Sequence, residues 1–118
     1  MNVMWYVGKF DEASWNLLAA IGITPTYVRD TQRGMAGVQQ NLTYKRELFA
    51  GGIVEIRSHF VGIGERKLVF VHAMYDAECH ELCAICHLTA VHIDRVNRRA
   101  TALPADIRAR AQALLDSV

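Results

Sequence analysis

Proline and glycine are scarce in this 118-residue sequence, two and eight respectively, which excludes collagen-like and low-complexity chains. An excess of one charge is missing too: thirteen Lys and Arg face twelve Asp and Glu for a net charge of +1, and never more than two basic residues are adjacent. A groove that tracks phosphates has little to be built from, so no nucleic-acid partner is expected. No apolar run approaches the roughly 20 residues of a membrane span, and the N-terminus lacks a basic region followed by an apolar block and a small-residue cleavage site. No membrane partner is expected, and the cytoplasm is the expected location. Three cysteines, an odd number, fit reduced thiols in that compartment better than a disulfide framework.

What is abundant is apolar character, 52% of residues, enough for one core and one domain spanning 1–118. Val7, Phe10, Leu17 and Ile21 recur at helical spacings, with Trp5, Trp15 and Leu18 widening the stripe. The pattern predicts one long helix from Asn2 as N-cap to a stop at Gly22 and Pro25. Gly8 interrupts it, which suggests a strand or partner backbone passing close by. After a polar segment, Thr24 to Gly34, four extended stretches follow: Ala36 to Glu47, Gly52 to Ile63, Lys67 to Tyr75 and Leu82 to Asp94. In the second, Val54, Ile56 and Phe60 share one parity while Glu55, Arg57 and His59 share the other, the mark of a sheet covered on one face. The fourth is apolar on both parities and is expected to be central. Turn-like connections at Ala50-Gly51-Gly52, at Gly62-Ile63-Gly64-Glu65 and from Asp76 to His80 imply antiparallel neighbours. A last helix starts near Pro104, with a stripe of Ile107, Ala111, Leu114 and Leu115. The class is α+β, a long helix lying across the concave face of a curved antiparallel sheet.

Met1-Asn2-Val3-Met4-Trp5-Tyr6 and Phe10-Asp11-Glu12-Ala13 resemble the helix start of the hydroxybenzoyl-CoA thioesterase family, which has the hotdog fold. Thr43-Tyr44-Lys45-Arg46-Glu47-Leu48, then Ala50-Gly51-Gly52-Ile53-Val54, resemble its second strand, glycine turn and third strand. His92-Ile93-Asp94, Arg98-Arg99 and Leu103-Pro104 resemble its last strand and exit. The resemblance covers nearly the whole chain. It implies hydrolysis of a small or medium acyl-CoA thioester, with coenzyme A part of the substrate and no other cofactor. It also implies a homodimer or homotetramer paired through one strand, with the active site at the dimer interface. In that family an Asp-x-x-Gly-His or similar segment, whose Asp is nucleophile or general base, usually lies just before the residues matching Met1-Asn2. The resemblance places this segment and the first strand of the fold upstream of Met1, and the expectation is a start placed too far downstream. For the chain as it stands, the alternative is a non-catalytic hotdog protein that binds acyl-CoA or is structural.

A thioester hydrolase needs a group that attacks or activates water and donors for the oxyanion, and a helix N-terminus supplies unpaired N–H groups. The resemblance puts the oxyanion donor near Val3, with Asn2 fixing the loop and Tyr6 near the acyl pocket; capping by Asn2 and packing by Tyr6 are the plain structural alternatives. Asp11 and Glu12 are the next carboxylates, and Glu12 is the helix-borne catalytic candidate. It lies about 15 Å along the axis from Asn2, too far to share a reacting atom within one chain. Tyr44 and Arg46, of one parity on the dimer-pairing strand, are substrate-binding candidates, as is His59; interface or core hydrogen bonds are the alternative roles. Arg66-Lys67 and Arg98-Arg99 are candidates for the phosphates of coenzyme A, against the plain alternative of a solvated surface. Cys83-Ala84-Ile85-Cys86-His87 matches the c-type haem attachment pattern and, with Cys79 and His80, invites a zinc reading. On a regular strand, however, Cys83 and Cys86 point to opposite faces, so no metal or haem is expected and the thiols should pack as small hydrophobes.

Overall fold

A computed structural model describes residues 3–45 and 53–117, with side chains from residue 6 onward. The opening helix, α1, runs Val3–Ala20. It stops as expected at Gly22, whose φ of 100° is open to glycine at no steric cost. Gly22 N–H donates to the Ala19 carbonyl at 3.1 Å and Ile23 N–H to the Leu18 carbonyl at 3.0 Å, the paired bonds of a Schellman cap. Leu18 and Ile23, which that cap brings together, are both buried in the same cluster.

The polar segment after it is a second helix, α2, Pro25–Thr31. Pro25 therefore acts less as a stop than as a start: it takes the first-turn position that needs no N–H donor, and the Thr24 hydroxyl accepts from Tyr27 N–H. The strands are β1 Arg33–Tyr44, β2 Val54–Ile63, β3 Lys67–Asp76, β4 Leu82–Asp94 and a two-residue β5, Arg99–Ala100, before α3 at Ala105–Asp116. The four long strands match the predicted stretches closely. All pairings are antiparallel, in the order β1-β4-β3-β2.

That order corrects one expectation. β1 and β2 are not neighbours across the glycine turn but lie at opposite edges of the sheet, and the turn itself, Ala50-Gly51-Gly52, falls outside the described residues. The reason is β4, whose thirteen residues have backbone groups to satisfy along both edges. β3 takes one edge and β1 the other.

The core has two parts. Near the C-terminal half of α1, Leu18, Ile21, Ile23, Phe60, Leu68, Phe70, Ala90, Leu103, Ile107 and Ala111 pack together, so α3 closes that end. Near its N-terminal half, Tyr6 and Phe10 pack on Met74, Cys83, Ala84 and Cys86. Each large apolar side chain fully removed from water here contributes roughly 1.5–3 kcal/mol. In α3 the stripe is narrower than expected, since Leu114 is exposed while Ile107 and Ala111 are buried. At Gly8 a Cβ would meet nothing within 4 Å, so among the described residues no strand of this chain passes close to it. Val38 and Val61 are exposed because each is the extra residue of a β-bulge, at Gly37/Gln39 and Phe60/Gly62.

Candidate functional site

Three elements each place one polar residue on an otherwise apolar inner face. Ser14 follows Phe10 by one turn of α1, Ser58 shares its parity with Val54, Ile56 and Phe60 on β2, and His72 shares its parity with Leu68, Phe70 and Met74 on β3. Ser58 and His72 are cross-strand partners in the β2–β3 ladder. The result is a chain of hydrogen bonds: Ser58 Oγ lies 2.6 Å from His72 Nδ1, and His72 Nε2 lies 2.8 Å from Ser14 Oγ. Ser14 Oγ also lies 3.0 Å from the Phe10 carbonyl, a second acceptor within reach of its hydroxyl proton. His72 is 0% exposed, stacked on Phe10 at 6.0 Å and edge-on to Phe70 at 5.4 Å. Burial, with a smaller contribution from His59, lowers its pKa to about 4, so the imidazole is neutral at ordinary pH.

On the side of α1 facing β1 and β4 lies a cavity of about 360 Å³. Phe10, Leu18, Phe70, Leu88 and Ala90 give it apolar walls, and Asp11, Ser14, Gln40 and Arg95 are its polar members. The start of α1 lies toward one end of the same sheet, where Tyr6 meets the ring of Tyr44 edge-on at 4.9 Å. The first turn of α1 has N–H groups without helical acceptors, as at any helix start.

The chain matches the model of the thioesterase-like superfamily over residues 1–111. It belongs to that superfamily. Similar solved structures agree on the hotdog fold. A hypothetical protein from Staphylococcus aureus, solved in complex with CoA, superposes with a TM-score of 0.93 at 15% identity, over 98% of this chain and 73% of that one. The DHNA-CoA thioesterase from Staphylococcus aureus gives 0.85 at 15% identity, over 98% and 81%. The gentisyl-coenzyme A thioesterase gives 0.82 at 18% identity, over 95% and 86%. No curated protein matches in sequence.

In this thioesterase-like chain the expected site residues fall into separate groups. Val3 begins α1, as the oxyanion reading requires, while Asn2 and Arg46 lie outside the described residues. Tyr6 and Tyr44 do come together. Glu12 pairs with Lys9 at 3.6 Å and faces a groove on the far side of α1, against Ile56 and Ser58. Asp11, one residue earlier and so rotated about 100° around the helix, is the carboxylate on the cavity wall. His59 stands on the outer parity of β2, opposite Val71.

The two basic pairs, distant in sequence, share one end of the sheet. The Arg66 carbonyl accepts from His92 N–H at 2.7 Å, the Glu65 carbonyl accepts from Leu103 N–H at 2.9 Å, and Arg99 pairs with Asp94. β5 thus sits beside β4 beyond the point where β3 stops, with Arg66, Lys67, Arg98 and Arg99 all exposed around it. Tyr6 is packed on Ala84 near the start of β4 and the basic pairs surround its end at His92 to Asp94, a separation of roughly 30 Å along the strand.

The parity argument for the cysteines fails. Met74 pairs with Ala84 and Tyr75 with Leu82, which makes Cys83 an extra residue in β4. This bulge turns it inward, and Cys83 and Cys86 share one buried cluster. Both do pack as small hydrophobes. Burial pushes the Cys86 thiol up to about 11, and a thiol held protonated is a poor metal ligand. Among the described residues, no group of three or more His, Cys, Asp or Glu is arranged to hold an ion, and no helix is long and apolar enough to cross a membrane.

Sequence reasoning missed Ser14 and Ser58 and assigned His72 no partner. The available signal was a small polar residue at an apolar phase on each of two elements, with a histidine at the matching phase on a third.

Proposed function

We propose that this protein is an acyl-CoA thioesterase that hydrolyses a thioester with a small or medium acyl group, bound in the cavity along α1. The observation that carries the reading is that cavity, about 360 Å³ in a chain of the thioesterase-like superfamily. It lies near the lower end of the usual range for small-molecule sites, which favours a short acyl group. The named relatives that act on gentisyl-CoA and DHNA-CoA support the substrate class.

Asp11 serves as general base: it accepts a proton from water, the hydroxide attacks the thioester carbonyl, the C–S bond breaks and the thiolate leaves with a proton. Helix-start amides near Val3 hold the oxyanion. Asp11 lies eight residues from Val3, about 12 Å along the axis, so the two cannot serve one carbonyl within a chain. A second copy pairing two-fold along the free edge of β1 runs antiparallel to the first. It sets the helix start of one copy beside the cavity of the other, and the Arg66, Lys67, Arg98 and Arg99 end of one copy beside the Tyr6 and Tyr44 end of the other. Coenzyme A phosphates then meet cations that are far from the thioester within a single chain. His59, on β2, and Glu12, which faces β2 across the groove beside Ile56 and Ser58, stand on the side of α1 away from this edge.

The test is release of free thiol from a panel of acyl-CoA esters, corrected for Cys79, the exposed cysteine. Turnover that falls about 100-fold in Asp11→Asn is the expected result. Tight binding of the esters without turnover would replace the hydrolase by the acyl-CoA-binding protein. Turnover unaffected by Asp11→Asn would move the base elsewhere.

A further inference from the structure

The proposed hydrolysis makes no use of Ser14, His72 and Ser58, although an apolar trio would fill their positions without burying a histidine. His72 is 0% exposed and both of its nitrogens meet hydroxyls, at 2.6 and 2.8 Å. Such a chain has two proton arrangements. In one, Ser58 donates to Nδ1 and Nε2–H donates to Ser14. The Ser14 proton then points at the Phe10 carbonyl 3.0 Å away, which as a helix carbonyl already accepts the N–H four residues on. Turning that proton into the cavity strands no buried group, so Ser14 is free to donate to a ligand. In the other, Nδ1–H donates to Ser58 and Ser14 donates to Nε2, and the lone pairs of Ser14 are left for a ligand donor.

Ser14 forms part of the wall of the cavity, among Phe10, Leu18, Phe70, Leu88 and Ala90, whereas Ser58 opens on the groove across α1 and does not line the cavity. Burial between the Phe10 and Phe70 rings, with a smaller contribution from His59, keeps the imidazole neutral. A serine nucleophile needs a base that takes up its proton readily, so this trio is a poor acyl acceptor. It is a good hydrogen-bonding contact of either sense.

Resting on the reading that the acyl group occupies this cavity, we propose that Ser14, set as donor or acceptor through His72 by Ser58, selects acyl groups that carry an oxygen or nitrogen substituent along the chain over hydrocarbon acyl groups of the same length. Against the apolar stretch of wall around Ser14, formed by Phe10, Leu18, Phe70, Leu88 and Ala90, a substituent that finds Ser14 keeps a hydrogen bond, and one that misses it is desolvated without return.

The test uses thioether analogues of acyl-CoA, which cannot be hydrolysed, in length-matched series with a hydroxyl at successive carbons or none, with affinities measured by calorimetry. The protein is expected to bind the best-placed hydroxyl about tenfold more tightly than the hydrocarbon. Ser14→Ala should level that ratio and Ser14→Thr should keep it. Ser58→Ala, which removes a group that does not line the cavity, should shrink the ratio by about threefold, with Ser58→Thr restoring it. The ratio is the readout because a purely structural defect lowers both affinities together. Absence of a preference at every position, or a preference that survives Ser14→Ala, overturns the proposal, as does failure of every analogue to bind. A preference seen in a protein without turnover sinks the hydrolase reading alone, and turnover of hydrocarbon esters with no preference sinks this one alone.

Discussion

The two buried histidines occupy regions built on opposite principles. His92, at the end of β4, has its Nδ1 3.2 Å from the Thr101 carbonyl and its Nε2 2.8 Å from the Tyr27 hydroxyl. A carbonyl can only accept, so Nδ1 must carry the hydrogen and Nε2 must accept from Tyr27. One tautomer is fixed, and His92 clasps α2 to β4 and the strand that follows. His72, under the middle of α1, meets two hydroxyls that can each donate or accept, and one of them borders a cavity. Both rings are fully buried, and burial lowers both pKa values. What differs is the chemistry of the partners, which makes one histidine a fastening and the other an adjustable contact.

The largest way to break this contrast is Phe70→Ala, which removes a ring that touches both His72 and Phe60. A loss of about 3–5 kcal/mol in urea unfolding is expected. A loss below about 1 kcal/mol would mean that the ring does not hold the imidazole in place.

Acid titration of stability comes next. The unfolded chain takes up a proton on His72 as pH drops through 6.5, but the folded chain resists until about 4. Between those values the unfolded state therefore holds more protons, and stability is lost as pH falls through that window and levels off below it. The shift is worth roughly 3 kcal/mol as an upper figure. In His72→Leu most of the slope should vanish and leave only the part due to His92. An undiminished slope would contradict the assignment.

Tyr27→Phe should cost about 1 kcal/mol by leaving the fixed acceptor of His92 without its donor. A cost near zero in thermal unfolding would show that the clasp is not closed in solution. The smallest effect is spectroscopic. Nitrogen NMR of the imidazoles should show His92 in the single Nδ1–H form and His72 in a mixture, with Ser58→Ala changing the His72 populations only. A His72 locked in one form would remove the contrast.

Much of this architecture was legible beforehand. The long helix and its stop at Gly22, the four long strands and the terminal helix were set by hydrophobic period and by glycine and proline placement, which act locally. The reading failed where a single residue changed the local geometry. Pro25 reads as an end after Gly22, yet Thr24 before it makes it a beginning. Cys83 sits in a bulge, and one inserted residue inverts any parity argument downstream of it. Asp11 and Glu12 are adjacent in sequence, and which of them faces the cavity depends on rotation about the helix axis, which is set by how the helix is seated. Ser14 and Ser58 drew no attention because a serine at an apolar phase has meaning only once its partner is known.

By itself the sequence determined the first and last helices, the four long strands, their antiparallel character and the family, since these rest on local pattern and on the order of short motifs along the chain. Tertiary structure decided that β1 pairs with β4, that the two basic pairs meet at one end of the sheet, and that Ser14, His72 and Ser58 form one chain of hydrogen bonds. Ser14 and His72 are 58 residues apart, and hydrogen bonds act over about 3 Å, so only the closing of helix over sheet brings such groups within reach.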